Sequence, residues 1–153
     1  MFPRDKDLCT KQPIELKLRT NLSIPAKEAE FKLRIPGHEV FSTKLESEVR
    51  DRITEHMKTL TQLSTDAIKI EIESNDVLTL DLVDLPGLYT IHRDHNDEEN
   101  NKCVKNYIQQ RDVGAIVVVL SSNNDIFLDN AIKMIQELSV EKRNCCIAVF
   151  TKP

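Results

Sequence analysis

Residues 80–88 read LDLVDLPGL, and this stretch decides the fold class expected for the 153-residue chain. Leucines spaced two apart run through its first half, and this period of two predicts a strand over 77–84. Pro86 and Gly87 then end the strand, because proline has no N–H to donate and glycine tolerates unusual backbone angles. Asp84 is therefore expected at the carboxyl end of a parallel strand, which is where open α/β sheets bind ligands.

Length and composition limit the class of protein. With 153 residues, 40% hydrophobic and 30% charged, the chain is long enough for one ordinary domain with a real core. A net charge of −4 gives no electrostatic reason to expect nucleic acid or an anionic membrane as a direct ligand. The sequence has neither a run of about 18 apolar residues nor a signal-peptide core at its start, so we expect a cytoplasmic location. Its four cysteines lack metal-type spacing, which predicts buried, reduced thiols.

The first third of the chain mixes strand and helix patterns. Alternation over 13–19 predicts a half-exposed strand. Residues 21–41 contain prolines and a glycine among short apolar patches, which indicates a loop with one short strand. Apolar residues then recur every three or four positions, predicting an amphipathic helix over about 43–61 that opens on a capping box of Thr43 and Glu46.

The remaining elements suggest an α/β sheet. Residues 68–73 alternate and precede a polar turn, so we expect them to form an antiparallel hairpin with the 77–84 strand. After a polar loop, the predicted elements are a helix ending near 111, a strand over 114–120, a helix over 126–139 and a strand over 145–150. Both late strands are apolar on both faces, as in strands covered on both sides. Such alternation predicts a three-layer α/β fold with a mainly parallel sheet.

Four collinear segments resemble the GTPase domain of the dynamin superfamily, and its myxovirus-resistance branch in particular. In chain order they are 2–18 (FPRDKDLCTKQPIELKL), 80–88 (LDLVDLPGL), 118–126 (VVLSSNNDI) and 149–153 (VFTKP). The first is similar to switch I, the second to the DLPG motif of switch II, and the last to the start of the T/N-K-x-D motif. The resemblance covers most of the chain and implies that residues 1–153 are a partial GTPase domain of the P-loop type.

The resemblance also implies a set of site residues for GTP and Mg²⁺. Thr10 is the catalytic threonine, whose hydroxyl reaches the metal, and Asp84 holds the water shell of the same ion. Gly87 senses the γ-phosphate, Lys152 lies along the guanine, and Thr151 supports that loop. These types suit the chemistry, because triphosphate hydrolysis depends on positioning and on a hard cation held by oxygen ligands.

The chain departs from the family pattern at several places. A phosphate loop of the form G-x-x-x-x-G-K-[ST] is expected before switch I, together with the central strand that leads into it, and neither occurs in residues 1–153. No aspartate follows Pro153, Asp5 and Asp7 stand where the family has glycines, and the stretch after Leu88 lacks the usual glycine and proline. We therefore expect residues 1–153 alone to bind GTP weakly or not at all, to be inactive, and to be poorly stable and aggregation-prone.

Two other functions remain open from the sequence. One is a catalytically inactive, GTPase-like binding or scaffold module that pairs with a partner. The other is an unrelated α/β protein in which DLPG is only a turn that ends a strand. The family resemblance further implies self-association through the GTPase face, with membrane or cytoskeletal contacts made only by domains outside these residues.

Overall fold

The chain forms two compact units, residues 1–87 and 88–153. The computed structural model describes residues 11–61, 64–88, 96–112, 114–121 and 129–151. Among the helices in these ranges, none combines the length and the apolar character that crossing a membrane requires.

The first unit is built on a five-stranded sheet. Its elements are β1 (Ile14–Thr20), β2 (Ala29–Arg34), β3 (Phe41–Thr43), α1 (Glu46–Thr59), β4 (Ile68–Ser74) and β5 (Leu80–Asp84). The strand order is β3-β2-β4-β1-β5. Strand β1 runs parallel to β4 and antiparallel to β5, whereas β2 is antiparallel to both β3 and β4. The sheet is therefore mixed, and three of its four strand pairs are antiparallel.

Two sequence-based expectations are wrong for this sheet, namely that it is mainly parallel and that 68–73 forms a hairpin with 77–84. Strand β1 lies between the two predicted hairpin strands and pairs with both of them. Apolar alternation determines which face a side chain occupies, but it does not determine which strand lies alongside. As an interior strand, β1 is buried over residues 14–16 rather than half exposed along its length.

Helix α1 packs against one face of the sheet. Val49, Ile53 and Met57 are spaced four apart, so they lie on one side of the helix, and all three are buried. They belong to a single core cluster with buried residues of β1, β2 and β4, which include Ile14, Leu33, Ile68 and Ile70. The 3.6-residue period predicted this packing, and the helix has the expected position with slightly tighter bounds.

The start of α1 differs from the predicted capping box. The N-cap residue is Leu45, and it has no side-chain cap. Thr43 Oγ1 instead accepts a hydrogen bond from the Leu45 N–H at 3.1 Å and donates to Glu48 at 2.6 Å. Glu46 pairs with Arg50 one turn along the helix at 2.8 Å. The threonine thus stabilises the turn before the helix and does not close a reciprocal box with Glu46.

The 21–41 region holds one short strand, β2, as predicted, and the first residue of β3. A turn follows β2, in which the His38 N–H donates to the Ile35 carbonyl at 3.0 Å. Pro36 and Gly37 occupy the two central positions, and Gly37 has a φ of +78°. Proline first and glycine second is the preference of a type II turn, since only the second position needs a positive φ. This turn directs the chain back along β2 as β3.

The second unit contains a parallel strand pair and three helices in the described ranges. Its elements are α2 (Asn96–Gln110), β6 (Ile116–Ser121), α3 (Asn130–Gln136), α4 (Val140–Asn144) and β7 (Cys146–Thr151). Strands β6 and β7 are parallel, in a register that runs from Ile116 opposite Cys146 to Ser121 opposite Thr151. Helices between two parallel strands are what the sequence predicted for this half.

The expectation that both late strands are covered on both faces is wrong. Val118 and Leu120 are buried, but Val117 and Val119 on the other face of β6 are 61% and 63% exposed. Their register partners on β7 are also exposed, at 55% for Ile147 and 41% for Val149. Branched apolar residues favour a strand, whereas cover depends on a second layer that a strand's own sequence does not reveal.

The cysteines are free thiols where the structure describes them. Cys103, Cys145 and Cys146 are unpaired and only partly buried, so the predicted burial of the thiols is met in part, and their reduced state stays a prediction. Cys9 lies outside the described residues.

Candidate functional site

The end of β5 carries the predicted switch II turn. Asp84 is the last residue of the strand and is partly exposed, Pro86 is buried, and Gly87 is exposed. In the antiparallel ladder Asp84 lies opposite Ile14, the first residue of β1. The carboxylate is therefore at the sheet edge where β1 begins. The expectation that Asp84 ends a parallel strand is wrong, because β5 runs antiparallel to its neighbour β1.

The chain entering β1 brings the end of the predicted switch I to the same edge of the sheet. Thr10 lies outside the described residues, and Lys11 is the first residue that the structure describes. Ile14 follows Thr10 by four positions and is the register partner of Asp84. The structure thus brings the chain just after Thr10 to the strand end that bears Asp84.

Gln12 is a buried polar residue in this entry segment, and it is only 1% exposed. Its Nε2 donates to the Asp66 carbonyl at 2.8 Å, and its Oε1 lies 2.9 Å from His56 Nε2 on α1. A backbone carbonyl can only accept, so the amide NH₂ must face Asp66 and the amide oxygen must face His56. His56 therefore donates from Nε2, and both ends of the Gln12 amide are satisfied.

The ionisation of His56 is shifted by the same surroundings. Burial, followed by the nearby charge of His38, lowers the pKa of the His56 imidazole below its ordinary value. The two rings meet edge to face with centroids 5.6 Å apart. A lowered pKa favours the neutral ring, in which one nitrogen donates and the other does not.

Sequence reasoning missed Gln12. A single glutamine before Pro13 carries no periodic signal, because its burial depends on His56 and Asp66, which lie 44 and 54 positions away. The sequence offered one weak sign, which is a polar residue placed directly before a proline and a buried strand.

The end of β7 carries Thr151, the residue predicted to support the base-reading loop. Thr151 lies opposite Ser121, so the carboxyl ends of β6 and β7 are aligned. Its Oγ1 donates to the Leu120 carbonyl at 3.3 Å and ties the end of β7 to β6. The carboxyl edge of parallel strands is the usual ligand edge of an α/β sheet. Lys152 lies outside the described residues.

The predicted site residues lie in different parts of the chain, and two of them lie outside the described residues. Asp84 and Gly87 lie in the first unit and Thr151 in the second, while Thr10 and Lys152 lie outside the described ranges. In the described part of the chain, no three histidine, cysteine, aspartate or glutamate side chains cluster as ligands for a metal ion. A Mg²⁺ ion held with a triphosphate needs fewer protein ligands, since it keeps several waters and phosphate oxygens in its shell.

Comparison with known proteins gives a consistent family. The family model described as "Dynamin family" matches residues 1–153. An interferon-induced GTP-binding protein Mx1 of Oncorhynchus mykiss is 28% identical over 159 residues, which cover 99% of this chain and 25% of the relative. An interferon-induced GTP-binding protein Mx of Gallus gallus is 31% identical over 160 residues, covering 99% of this chain and 22% of the relative. An interferon-induced GTP-binding protein Mx of Perca fluviatilis is 29% identical over 162 residues, which cover 99% of this chain and 52% of the relative. The chain thus spans between 22% and 52% of the length of these relatives.

Proposed function

Because the chain belongs to the dynamin family, we propose that it is part of a GTPase domain that in complete form binds GTP with Mg²⁺ and hydrolyses it to GDP and phosphate. The relatives are named as GTP-binding proteins, and the chain aligns with them over 99% of its length. The same family match excludes an unrelated α/β protein in which DLPG is only a turn.

One observation supports the proposal most directly, and it is the pairing of Ile14 with Asp84. The two switch segments are about 70 residues apart in sequence, yet this pairing brings the chain just after one of them to the end of the other. In a switch GTPase both segments respond to the same γ-phosphate and Mg²⁺. A shared sheet edge is the geometry that such a joint response requires.

The donor atoms at this edge fit a hard cation. Asp84 offers carboxylate oxygens at a partly exposed strand end, and Thr10 would add a hydroxyl. Oxygen ligands with retained water are what Mg²⁺ prefers. The bound ion would supply neutralisation of triphosphate charge. In the proposed site Asp84 would hold the water shell of the ion, and the Gly87 N–H would be available to the γ-phosphate.

The guanine end of the proposed site uses the carboxyl end of β7. Thr151 is held there by its hydrogen bond to the Leu120 carbonyl, which supports a role in fixing the loop and not in touching the base. Lys152 would extend along the purine ring from this fixed point. Mutating Thr151 should therefore loosen base selection, and Lys152 should contribute the direct contact.

A specific observation favours the inactive binding module for residues 1–153 alone. The sequence has only three glycines, and none begins a G-x-x-x-x-G-K-[ST] phosphate loop. Backbone amides and the lysine of such a loop hold the β- and γ-phosphates in P-loop proteins. Without them, GTP affinity and turnover should both fall. The two proposals therefore differ in whether a supplied phosphate loop restores activity.

The test is titration of a fluorescent GTP analogue with and without Mg²⁺. It is done on residues 1–153 and on a variant to which a phosphate loop of the form G-x-x-x-x-G-K-[ST] has been added, called the chimera. Phosphate release is measured on the same samples. We expect Mg²⁺-dependent, GTP-selective binding and turnover by the chimera. Binding without turnover would favour the inactive module, and absence of binding by the chimera would reject both.

A matched pair of variants tests whether Mg²⁺-dependent binding depends on the proposed site. Asp84→Asn removes the carboxylate charge at the strand end, and Asp81→Asn makes the same chemical change three residues earlier. Asp81 is 59% exposed and paired with Arg19 on the surface. We expect Asp84→Asn to weaken Mg²⁺-dependent binding about 10- to 100-fold. The Asp81→Asn variant should bind like the parent, and equal losses in the two variants would argue against the site.

We also propose a cytoplasmic location, as expected from the sequence, and self-association through the GTPase face, as the family resemblance implies. Contacts with membranes or the cytoskeleton, if the complete protein makes them, would come from parts outside these 153 residues. A net charge of −4 supports the absence of nucleic acid among the direct ligands.

A further inference from the structure

Helices α2 and α3 of the second unit line a cavity of about 360 Å³, which we call the α2–α3 cavity. Its wall is mostly polar and includes Asn101, Lys102 and Lys105 from α2 and Lys133, Met134 and Glu137 from α3. Lys105 Nζ and a carboxylate oxygen of Glu137 are 2.6 Å apart, and this ion pair joins the two helices. The volume lies within the range of small-ligand pockets and equals that of about 12 water molecules.

The α2–α3 cavity is positively charged, although the chain as a whole is negative. Three lysines and one glutamate line the cavity, which leaves two positive charges in excess, whereas the net charge of the chain is −4. The glutamate, Glu137, is already paired with Lys105. Within the part of the chain that the structure describes, no carboxylate pairs with Lys102 or with Lys133. Their two ammonium groups can therefore bind an anion that enters the cavity.

Asn101 gives a second and independent indication of a ligand. It lines the cavity, and its buried Oδ1 has no hydrogen-bond partner among the described residues. Nearly all buried polar atoms in folded proteins have a partner, because an unpaired one is costly. An amide oxygen only accepts hydrogen bonds, so the missing partner is an O–H or N–H donor. Rotation of the Asn101 carboxamide can present this oxygen to an occupant of the cavity.

We propose that the α2–α3 cavity binds a small phosphate monoester that carries hydroxyl groups, of the kind found in sugar phosphates. A phosphate monoester has a charge of about −1.5 to −2 at neutral pH, which matches the two positive charges in excess, whereas a carboxylate has a charge of −1. The hydroxyl groups of the ligand supply the donor that Asn101 Oδ1 lacks. None of the residues that line the cavity belongs to the proposed GTP site, so this is a second binding site.

The test is isothermal titration calorimetry of residues 1–153 at constant ionic strength. Glucose 6-phosphate has both the charge and the hydroxyl groups, inorganic phosphate lacks the sugar, gluconate replaces the phosphate by a carboxylate, and glucose lacks an anion. We expect glucose 6-phosphate to bind most tightly, inorganic phosphate about 5-fold more weakly and gluconate about 10-fold more weakly. Glucose should not bind. Equal affinities for glucose 6-phosphate and gluconate, or no binding of glucose 6-phosphate at millimolar concentrations, would overturn the proposal.

Charge-removing variants locate the binding on the two helices. Lys102→Gln and Lys133→Gln each remove one ammonium group from an exposed lysine of the cavity, so both variants should fold. Each should weaken glucose 6-phosphate binding about 10-fold. Lys58→Gln is the matched control, because it makes the same change in net charge on the exposed side of α1 and should bind like the parent. Equal losses in all three variants would show general attraction of an anion and would overturn the site.

The role of Asn101 and the separation from the GTP site need their own measurements. Asn101→Leu keeps the shape of the side chain and removes its polar atoms. It should abolish the preference for glucose 6-phosphate over inorganic phosphate, and an unchanged preference would refute recognition of the ligand hydroxyl groups. GTP with Mg²⁺ should leave glucose 6-phosphate binding unchanged. Displacement of the sugar phosphate by GTP would contradict a second site, whatever the outcome for the proposed GTPase function.

Discussion

Replacing Ile53 by alanine should cost the first unit a large part of its stability. Ile53 is 1% exposed and sits one helical turn from both Val49 and Met57 in the stripe that covers the sheet. The change removes three buried carbon atoms, worth about 2.4 kcal/mol at about 0.8 kcal/mol each. The cavity left between helix and sheet adds to this, because a packed core relaxes only partly.

The expected total for Ile53→Ala is a loss of about 3 kcal/mol in the free energy of unfolding. This figure lies within the usual range for such truncations and allows a few tenths of a kcal/mol for the better helix propensity of alanine. Urea unfolding at 25 °C, followed by far-UV circular dichroism, measures the loss from the shift in midpoint at constant slope.

Glu55→Ala is the matched control for this experiment. It lies on the exposed side of the same helix and should change stability by less than about 0.5 kcal/mol. If Ile53→Ala also lost less than about 1 kcal/mol, α1 would not be packed on the sheet as described.

Three further predictions concern ionisation and association. Burial and the charge of His38 lower the pKa of His56 in the folded chain. As the pH falls, His56 is therefore protonated in the unfolded chain before it is protonated in the folded chain. The stability that comes from keeping His56 neutral is fully present above about pH 6.5 and is lost as the pH falls through the lower pKa of the folded state. Between pH 7.5 and 5, the urea midpoint should therefore fall less in His56→Leu than in the parent protein. Burial raises the pKa of the Cys103 and Cys146 thiols, and peptide mass spectrometry at pH 8 should find both alkylated by iodoacetamide more slowly than a peptide thiol; equal rates would contradict the burial. Because Val117 and Val119 expose apolar surface, residues 1–153 should self-associate as the concentration rises, as measured by sedimentation velocity. Val119→Lys should reduce this self-association. A monomeric parent protein with a cooperative thermal transition at an ordinary mesophile temperature would contradict the prediction.

Local periodicity in the sequence was enough to predict most helices and strands. The four-residue spacing of Val49, Ile53 and Met57 identified α1 and its buried face. The alternation in β1 and the branched residues of β6 and β7 identified those strands. These signals are local, because each depends only on how a helix or strand orients its own side chains.

Strand neighbours could not be predicted in the same way. The short polar turn after β4 is compatible with a hairpin, yet β1 lies between β4 and β5. Pairing depends on backbone groups that every residue carries, so side-chain patterns leave it open. The exposure of Val117 and Val119 has a similar origin, since cover comes from other layers.

Only part of the candidate site was predicted, because short motifs are visible in the sequence and contacts between distant residues are not. Short motifs singled out Asp84, Gly87 and Thr151. In the structure Asp84 ends β5, Gly87 follows it by three residues, and Thr151 ends β7. The roles of all three stay predictions. Gln12 could not be found from sequence, because its importance arises from partners more than 40 positions away.

The most direct test of the central claim is to locate the metal. In the chimera that carries a phosphate loop, with GTP present and Mn²⁺ in place of Mg²⁺, paramagnetic broadening of backbone amide signals reports which residues lie near the ion. The account predicts broadening confined to two segments, 11–14 and 84–87, lost on removal of GTP and reduced in Asp84→Asn. Broadening spread over exposed carboxylates without regard to GTP, or absent from 84–87, would contradict a shared switch site at this edge of the sheet.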